Sequence, residues 1–225
     1  TILEACRKHN PKVKIIFAGT RGQYGRAKYL PVDENHLMCP IDVNGINNVA
    51  GEAYHIVYHQ SYGIRAVSLR LTNTYGPRHQ MRHSRQGFLN WFIRLAVDDE
   101  KITIFGEGKQ LRDFNYVDDV VRAFLLAAAT EKTNGEVYNL GSGKPVSVAE
   151  ATKLIVKIAG TGKVEFVPFP KDKAAIEIGD YYADYTKFRQ ALGWQPQVSL
   201  EEGLEKTIKF YRQFKKHYWD ATEQL

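Results

Sequence analysis

Residues 44–71 read NGINNVAGEAYHIVYHQSYGIRAVSLRL, and the change of rhythm inside this stretch decides the fold class. Up to Tyr62 the apolar residues Val49, Ala53, Ile56 and Val57 recur at helical spacing. Gly63 follows, a residue suited to the left-handed position just past a helix end. From Ile64 to Leu71 the chain becomes a short, mostly apolar run of the kind that forms a buried strand. A similar run, VKIIFAG at 13–19, lies upstream, followed by the turn-rich segment TRGQYGRAKYLPVDEN. Strand, helix, strand in that order predicts an α/β fold with a parallel sheet, because parallel strands need a crossover between them.

The chain has 225 residues, 44% hydrophobic and 25% charged. That suits one large domain, or one with a small appendage, able to bury a core without disulfides. Cys6 and Cys39 have no ligand-like spacing, which points to a reducing, cytoplasmic setting. The seven histidines show no metal-ligand spacing either. The longest apolar run, AFLLAAA at 123–129, is too short for a membrane span, and no signal-peptide pattern is present. The opening TILEACRKHN has helical spacing but no cap, and reads as a helix entered from a longer chain. Net charge is +6, with a basic cluster at Lys206, Lys209, Arg212, Lys215 and Lys216. No aromatic-plus-basic or recognition-helix pattern accompanies it, so nucleic-acid binding is not expected. A cleft for a phosphate-bearing small molecule accounts for part of the charge.

Beyond Pro77 the pattern predicts a helix over 86–97, a strand ITIF at 102–105, and a helix that Asp118 or Asp119 caps, running to about Thr130. GEVYNLGSG reads as a strand ending in a glycine-rich turn. Ser147 with Glu150 forms a capping box, VEFVPFP a short strand, and Thr186 to Leu192 a small helix stopped at Gly193. A second capping box at Ser199 opens a final helix to about Tyr218.

Six phrases in order, LEACRKHNPKVKIIFAGTRGQYG, NGINNVAGE, LRLTNTYGPR, FGEGKQLRDFNYVDDV, GEVYNLGSG and ALGWQPQVSLEEGL, cover nearly the whole chain. Together they resemble the extended short-chain dehydrogenase/reductase family, the NAD-dependent nucleotide-sugar epimerases and dehydratases. The resemblance implies the C-terminal part of a Rossmann-like doubly wound parallel sheet, at 1–76, and a smaller α+β substrate lobe, mainly 77–225, with some segments returning to the sheet. It implies NAD as cofactor and a nucleotide-diphosphate sugar as ligand. The family's glycine-rich pyrophosphate turn does not open this chain, so NAD binding needs a missing N-terminal half. Relatives commonly dimerise through the helix corresponding to 44–62, and a homodimer is expected here on that ground.

In the family a tyrosine takes the sugar hydroxyl proton, a lysine four residues later lowers its pKa and holds the nicotinamide ribose, and a Ser or Thr shares the hydrogen bond. The frame places Asn44 and Asn48 on the Tyr and Lys positions and Thr20 on the Ser/Thr position. Neutral Asn is no general base and supplies no cation. Asn44 and Asn48 can still hold ribose hydroxyls, and Asn44 also fits as a helix N-cap. Tyr24 is the best replacement proton acceptor, with Arg21 or Lys28 as its cation; His36 reads as a surface loop residue. Thr72 falls on the cofactor side. On the substrate side the resemblance places Asn73 and Arg112 on the diphosphate, Leu89, Asn90 and Phe105 near the nucleotide, and Glu177 on its ribose. Alternatives remain: Asn73 as a turn residue, Arg112 in an ion pair with Asp113 or Glu107, Phe105 in the core. Arg78, Arg82 and Arg85 crowd one loop, as phosphate contacts or solvated charges. Arg21 and Gly22 follow Thr20 where a dehydratase would carry an acid and a base, which favours epimerase over dehydratase.

Overall fold

A computed structural model describes residues 1–84, 87–171 and 177–219. Its centre is a parallel sheet of β1 (Lys14–Thr20), β2 (Arg65–Leu71) and β7 (Val137–Leu140), in the order β1-β2-β7. Helix α2 (Val43–Tyr62) makes the crossover from β1 to β2, and Phe17 stands opposite Ser68 in the register. Gly63 ends α2 with φ 68, in the left-handed region foreseen for it. The α/β, Rossmann-type expectation is therefore met. The start of α2 differs from the cap reading of Asn44. Asp42 is the cap, its Oδ1 accepting the Gly45 N–H at 2.6 Å, which leaves Asn44 inside the first turn.

Short parallel pairs extend from the sheet. They join β3 (Asn73–Tyr75) to β6 (Phe114–Tyr116) and β4 (Lys101–Phe105) to β9 (Lys163–Val167). An antiparallel pair joins β5 (Leu111–Arg112) to β8 (Val146–Ser147). Helices α3 (Phe88–Val97), α5 (Val148–Ala159) and α7 (Leu200–Phe214) pack round a core that includes Ile93, Ile102, Ile155, Leu204 and Tyr211. A second core, with Leu69, Tyr138, Phe188 and Trp194, lies under α4 (Val117–Ala128) and α6 (Thr186–Leu192). The Ser147/Glu150 capping box forms reciprocally. At α4 the capping expectation fails: Tyr116 precedes the helix without a side-chain cap. Buried Asp119 instead accepts the Gln197 and Val198 N–H groups, tying the lead-in of α7 to α4.

Strand β1 and helix α1 (Ile2–His9) border an open apolar hollow of about 840 Å³ lined by Ile2, Leu3, Ile15, Phe17, Tyr54 and Tyr58. No described helix is long and apolar enough to cross a membrane.

Candidate functional site

Three chain segments converge outside the carboxyl ends of β1 and β2: the turn after Thr20, the first turn of α2, and Thr72-Asn73. Ligands of open α/β sheets bind at this end. The approach depends on Gly45. A Cβ there would lie 2.5 Å from the Gly22 carbonyl oxygen and 2.7 Å from Pro40 Cβ. Gly45→Ala is therefore expected to lower the urea midpoint, at a cost of about 1–3 kcal/mol, with m unchanged.

The resulting cleft, about 280 Å³, is polar, and Thr20, Arg21, Asp42, Asn44, Thr72 and Asn73 line it. Thr20 Oγ1 accepts the Gly22 N–H at 3.2 Å, so its own proton is left to donate into the cleft. Asn48 Nδ2 donates to the Asn44 carbonyl at 2.9 Å and to Asn44 Oδ1 at 3.2 Å. The two amides thus brace each other on one helix face. Thr72 Oγ1 accepts from Asn115 Nδ2 at 3.0 Å. Asn73 Oδ1 is buried without a hydrogen-bond partner among the described residues, and Asn73 lines the cleft.

A second cavity, about 450 Å³, adjoins the first. Phe88, Trp91, Phe92, Phe105 and Phe169 give it aromatic walls, with the Phe105 and Phe169 rings 5.8 Å apart. Arg21, Arg112 and Glu177 line both cavities and mark their junction. Three of the five Arg112 guanidinium donors are taken: Nη2 donates to Glu177 Oε1 at 2.6 Å, Nη1 to Gly179 O at 2.5 Å and Leu111 O at 2.9 Å. Its ion-pair partner is Glu177, not Asp113 or Glu107. Asp113 is buried and accepts the Ser142 and Ala183 N–H groups, so it orders the loops behind the junction. Burial pushes its carboxyl above the usual range.

Three expectations need correction. Tyr24 is 0% exposed and does not reach the cleft. Its hydroxyl donates to Asn139 Oδ1 at 2.7 Å and accepts from Arg70 Nη1 at 2.6 Å, and burial pushes its pKa up to about 12. In this structure it links the turn after β1 to Arg70 on β2 and Asn139 on β7. Leu89 and Asn90 face the core. Leu89 packs among buried apolar residues, and Asn90 Oδ1 accepts the Gly76 N–H at 3.2 Å. The face of α3 turned to the cavity is Phe88, Trp91, Phe92 and Leu95, one residue out of phase with the expectation. His36 is buried rather than on the surface, with Nε2 accepting the Lys28 N–H at 2.8 Å and Nδ1 2.8 Å from the Leu37 carbonyl. Arg85 and the first residue of the 86–97 helix lie outside the described residues.

The profile of the NAD dependent epimerase/dehydratase family matches residues 1–141. The UDP-glucose 4-epimerase of Thermotoga maritima, solved with UDP-glucose, superposes with a TM-score of 0.85 at 37% identity, over 95% of this chain and 68% of that one. The UDP-glucuronic acid 4-epimerase of Bacillus cereus, in complex with UDP-glucuronic acid and NAD, gives 0.81 at 31% identity, over 95% and 65%. The UDP-glucose 4-epimerase of Mycolicibacterium smegmatis is 33% identical over 204 residues, which is 88% of this chain and 62% of that protein. The chain thus spans about two thirds of the length of these relatives. Paired with a parallel sheet whose strand ends open on adjoining polar and aromatic cavities, these likenesses make the chain a member of the NAD dependent epimerase/dehydratase family.

Proposed function

We propose that the chain carries the nucleotide-sugar site of an NAD-dependent epimerase-type protein, with substrate binding retained and the proton-transfer step severely weakened. The observation that carries this reading is the pair of adjoining cavities: one aromatic, suited to a base, and one polar, suited to a sugar, with arginine at their junction. A nucleotide-diphosphate sugar has that order of parts. Thr20 would hold the reacting sugar hydroxyl, Asn73 Oδ1 would accept from the ligand, and Phe105 would lie against the base. Arg112, held by Glu177, would fix the shape of the junction.

NAD, when bound, would supply the hydride acceptor. The residues present suit only its nicotinamide-ribose end, where Asn44, Asn48 and Thr72 offer amide and hydroxyl groups. The pyrophosphate cradle would come from a segment outside these 225 residues, the chain spanning about two thirds of the length of its relatives. The apolar hollow beside β1 supports this, because a strand as apolar as KIIFAGT is suited to cover on both faces. A homodimer through α2 is supported by exposed Tyr54 and Val57 on that helix.

Proton transfer is where the cleft is deficient. Asn44 and Asn48 cannot accept a proton at neutral pH, Tyr24 is buried elsewhere, and Asp42 is committed to capping α2. The test is calorimetric binding of a panel of UDP- and dTDP-sugars to the whole protein, with and without NAD, alongside an assay of sugar isomerisation. Binding without appreciable isomerisation is expected; rapid isomerisation would remove the weakened-chemistry half of the proposal, and absence of binding the whole of it. Trp91 offers a second readout. Trp91→Ala is expected to weaken the nucleoside diphosphate itself by about 1–3 kcal/mol, the usual worth of one base stacked on an aromatic ring.

A further inference from the structure

Arg21 lines the cleft directly after Thr20. Among the described residues its side chain makes no ion pair or hydrogen bond, and its guanidinium lies 5.3 Å over the Tyr181 ring. Among the described residues no neighbouring acid is in ion-pair contact with it. Glu177 accepts from Arg112 Nη2 and the Gly179 N–H, Asp42 from the Gly45 N–H, and Asp113 from the Ser142 and Ala183 N–H groups. Burial, and next the nearby Arg112 charge, lower the Arg21 pKa to about 10, with Tyr181, Glu177 and Asp42 partly offsetting them, so it stays protonated at neutral pH. An arginine that lines a cleft with no ion-pair contact among the described residues has its fork open to an anionic ligand group.

We infer that Arg21 is the anion-binding residue of the cleft, taking an oxyanion of the ligand on its planar fork. The inference rests on the nucleotide-sugar reading above. It puts this role on a residue next to Thr20, whereas three of the five Arg112 donors are taken by protein acceptors. Because Arg21 lines both cavities, two groups of one ligand qualify chemically: the diphosphate link, and a carboxylate on the sugar, as in a nucleotide-linked uronic acid. Both present paired oxygens to the guanidinium.

The test measures affinity of the whole protein and its Arg21→Gln and Arg21→Lys variants for UDP, UDP-glucose and UDP-glucuronate, by Trp fluorescence and calorimetry. Arg21→Gln is expected to weaken binding about 10- to 100-fold, the range for a lost charge-assisted hydrogen-bond pair, with Arg21→Lys recovering part of it. The salt dependence should also flatten in Arg21→Gln. Equal weakening for all three ligands assigns the diphosphate as the anion. Weakening confined to UDP-glucuronate assigns the sugar carboxylate. Unchanged affinities in Arg21→Gln, with the unsubstituted protein binding normally, overturn the inference while leaving the nucleotide-sugar reading intact. No binding by the unsubstituted protein overturns both. Thermal midpoints of the variants separate these outcomes from misfolding, since the Arg21 side chain makes no hydrogen bond among the described residues.

Discussion

The double variant Asn44→Tyr, Asn48→Lys of the whole protein is expected to raise NAD-dependent turnover of a bound nucleotide sugar by about 10²–10⁴-fold, the usual worth of a positioned general base. The geometry for this is in place. Residues 44 and 48 share one face of α2, as the Asn48 Nδ2 contacts to Asn44 show. The first turn of the helix is pressed against Gly22 through Gly45, so a side chain at 44 stands at the rim of the cleft that Thr20 and Asn73 line. Neither single change should suffice. A lone tyrosine with an ordinary pKa near 10 is ionised to roughly one part in a thousand at neutral pH, and a lone lysine has no proton acceptor to assist. The pair works because the ammonium stabilises the tyrosinate; Arg21, lining the same cleft, would add a second cation. The rate measurement should therefore show strong non-additivity: small gains for each single variant and a large one for the double. A double variant that binds the sugar with unchanged affinity and gains no turnover would show that this cleft is not the reaction centre.

The extent to which this site was readable from sequence follows from how local each signal is. The helix and strand of 44–71 carry their own periodicity and their own stop at Gly63, and both are where the pattern places them. Thr20, Thr72 and Asn73 sit at strand ends, so their placement came with the strands, and all three line the cleft. Helix α3 was harder. FLNWFIRLAV is apolar on nearly every side, so its pattern does not fix which face turns inward, and one residue of phase separates Leu89 and Asn90 from the Phe88, Trp91, Phe92 face. The surroundings of Tyr24 and the ion-pair partner of Arg112 are hidden from the sequence for a different reason. What Tyr24 does depends on Arg70 and Asn139, 46 and 115 residues away in the chain. What Arg112 can do depends on Glu177, 65 residues away. No local pattern announces such partners. That Arg21 has no ion pair among the described residues and lies over the Tyr181 ring, 160 positions on, is likewise a tertiary fact.

The Tyr24 network also carries the largest stability effect expected in this chain. Glu52 on α2 and Arg70 on β2 form a buried bidentate pair, 1% and 5% exposed, with Nη2 to Oε1 at 2.5 Å and Nε to Oε2 at 3.0 Å. Ser68 Oγ donates to the same carboxylate at 2.6 Å, and Arg70 continues through Tyr24 to Asn139 on β7. The network binds α2, β2, β7 and the turn after β1 to one another, so it holds Thr20, Asn44 and Asn73 in mutual register. Glu52→Gln keeps the shape and removes the counter-charge, leaving Arg70 buried and unpaired; the expected loss is about 3–5 kcal/mol. Glu52→Leu with Arg70→Met should recover most of that, because a pair replaced by apolar groups of similar volume is often near neutral. The sign of the pH dependence is set by Glu52. Burial pushes its carboxyl up, but the Arg70 guanidinium and Ser68 hydroxyl outweigh burial and hold it below the usual range. A carboxyl lowered on folding contributes stability above its unfolded value of about 4.3 and loses it as pH falls through the lowered folded value. Urea unfolding of the unsubstituted protein and of Glu52→Gln should therefore differ fully at neutral pH and converge in acid, once the native carboxyl is itself protonated. A gap that stays constant from neutral pH down to about pH 3, below the unfolded carboxyl value, would mean that the loss comes from packing around the substituted amide and not from the ion pair.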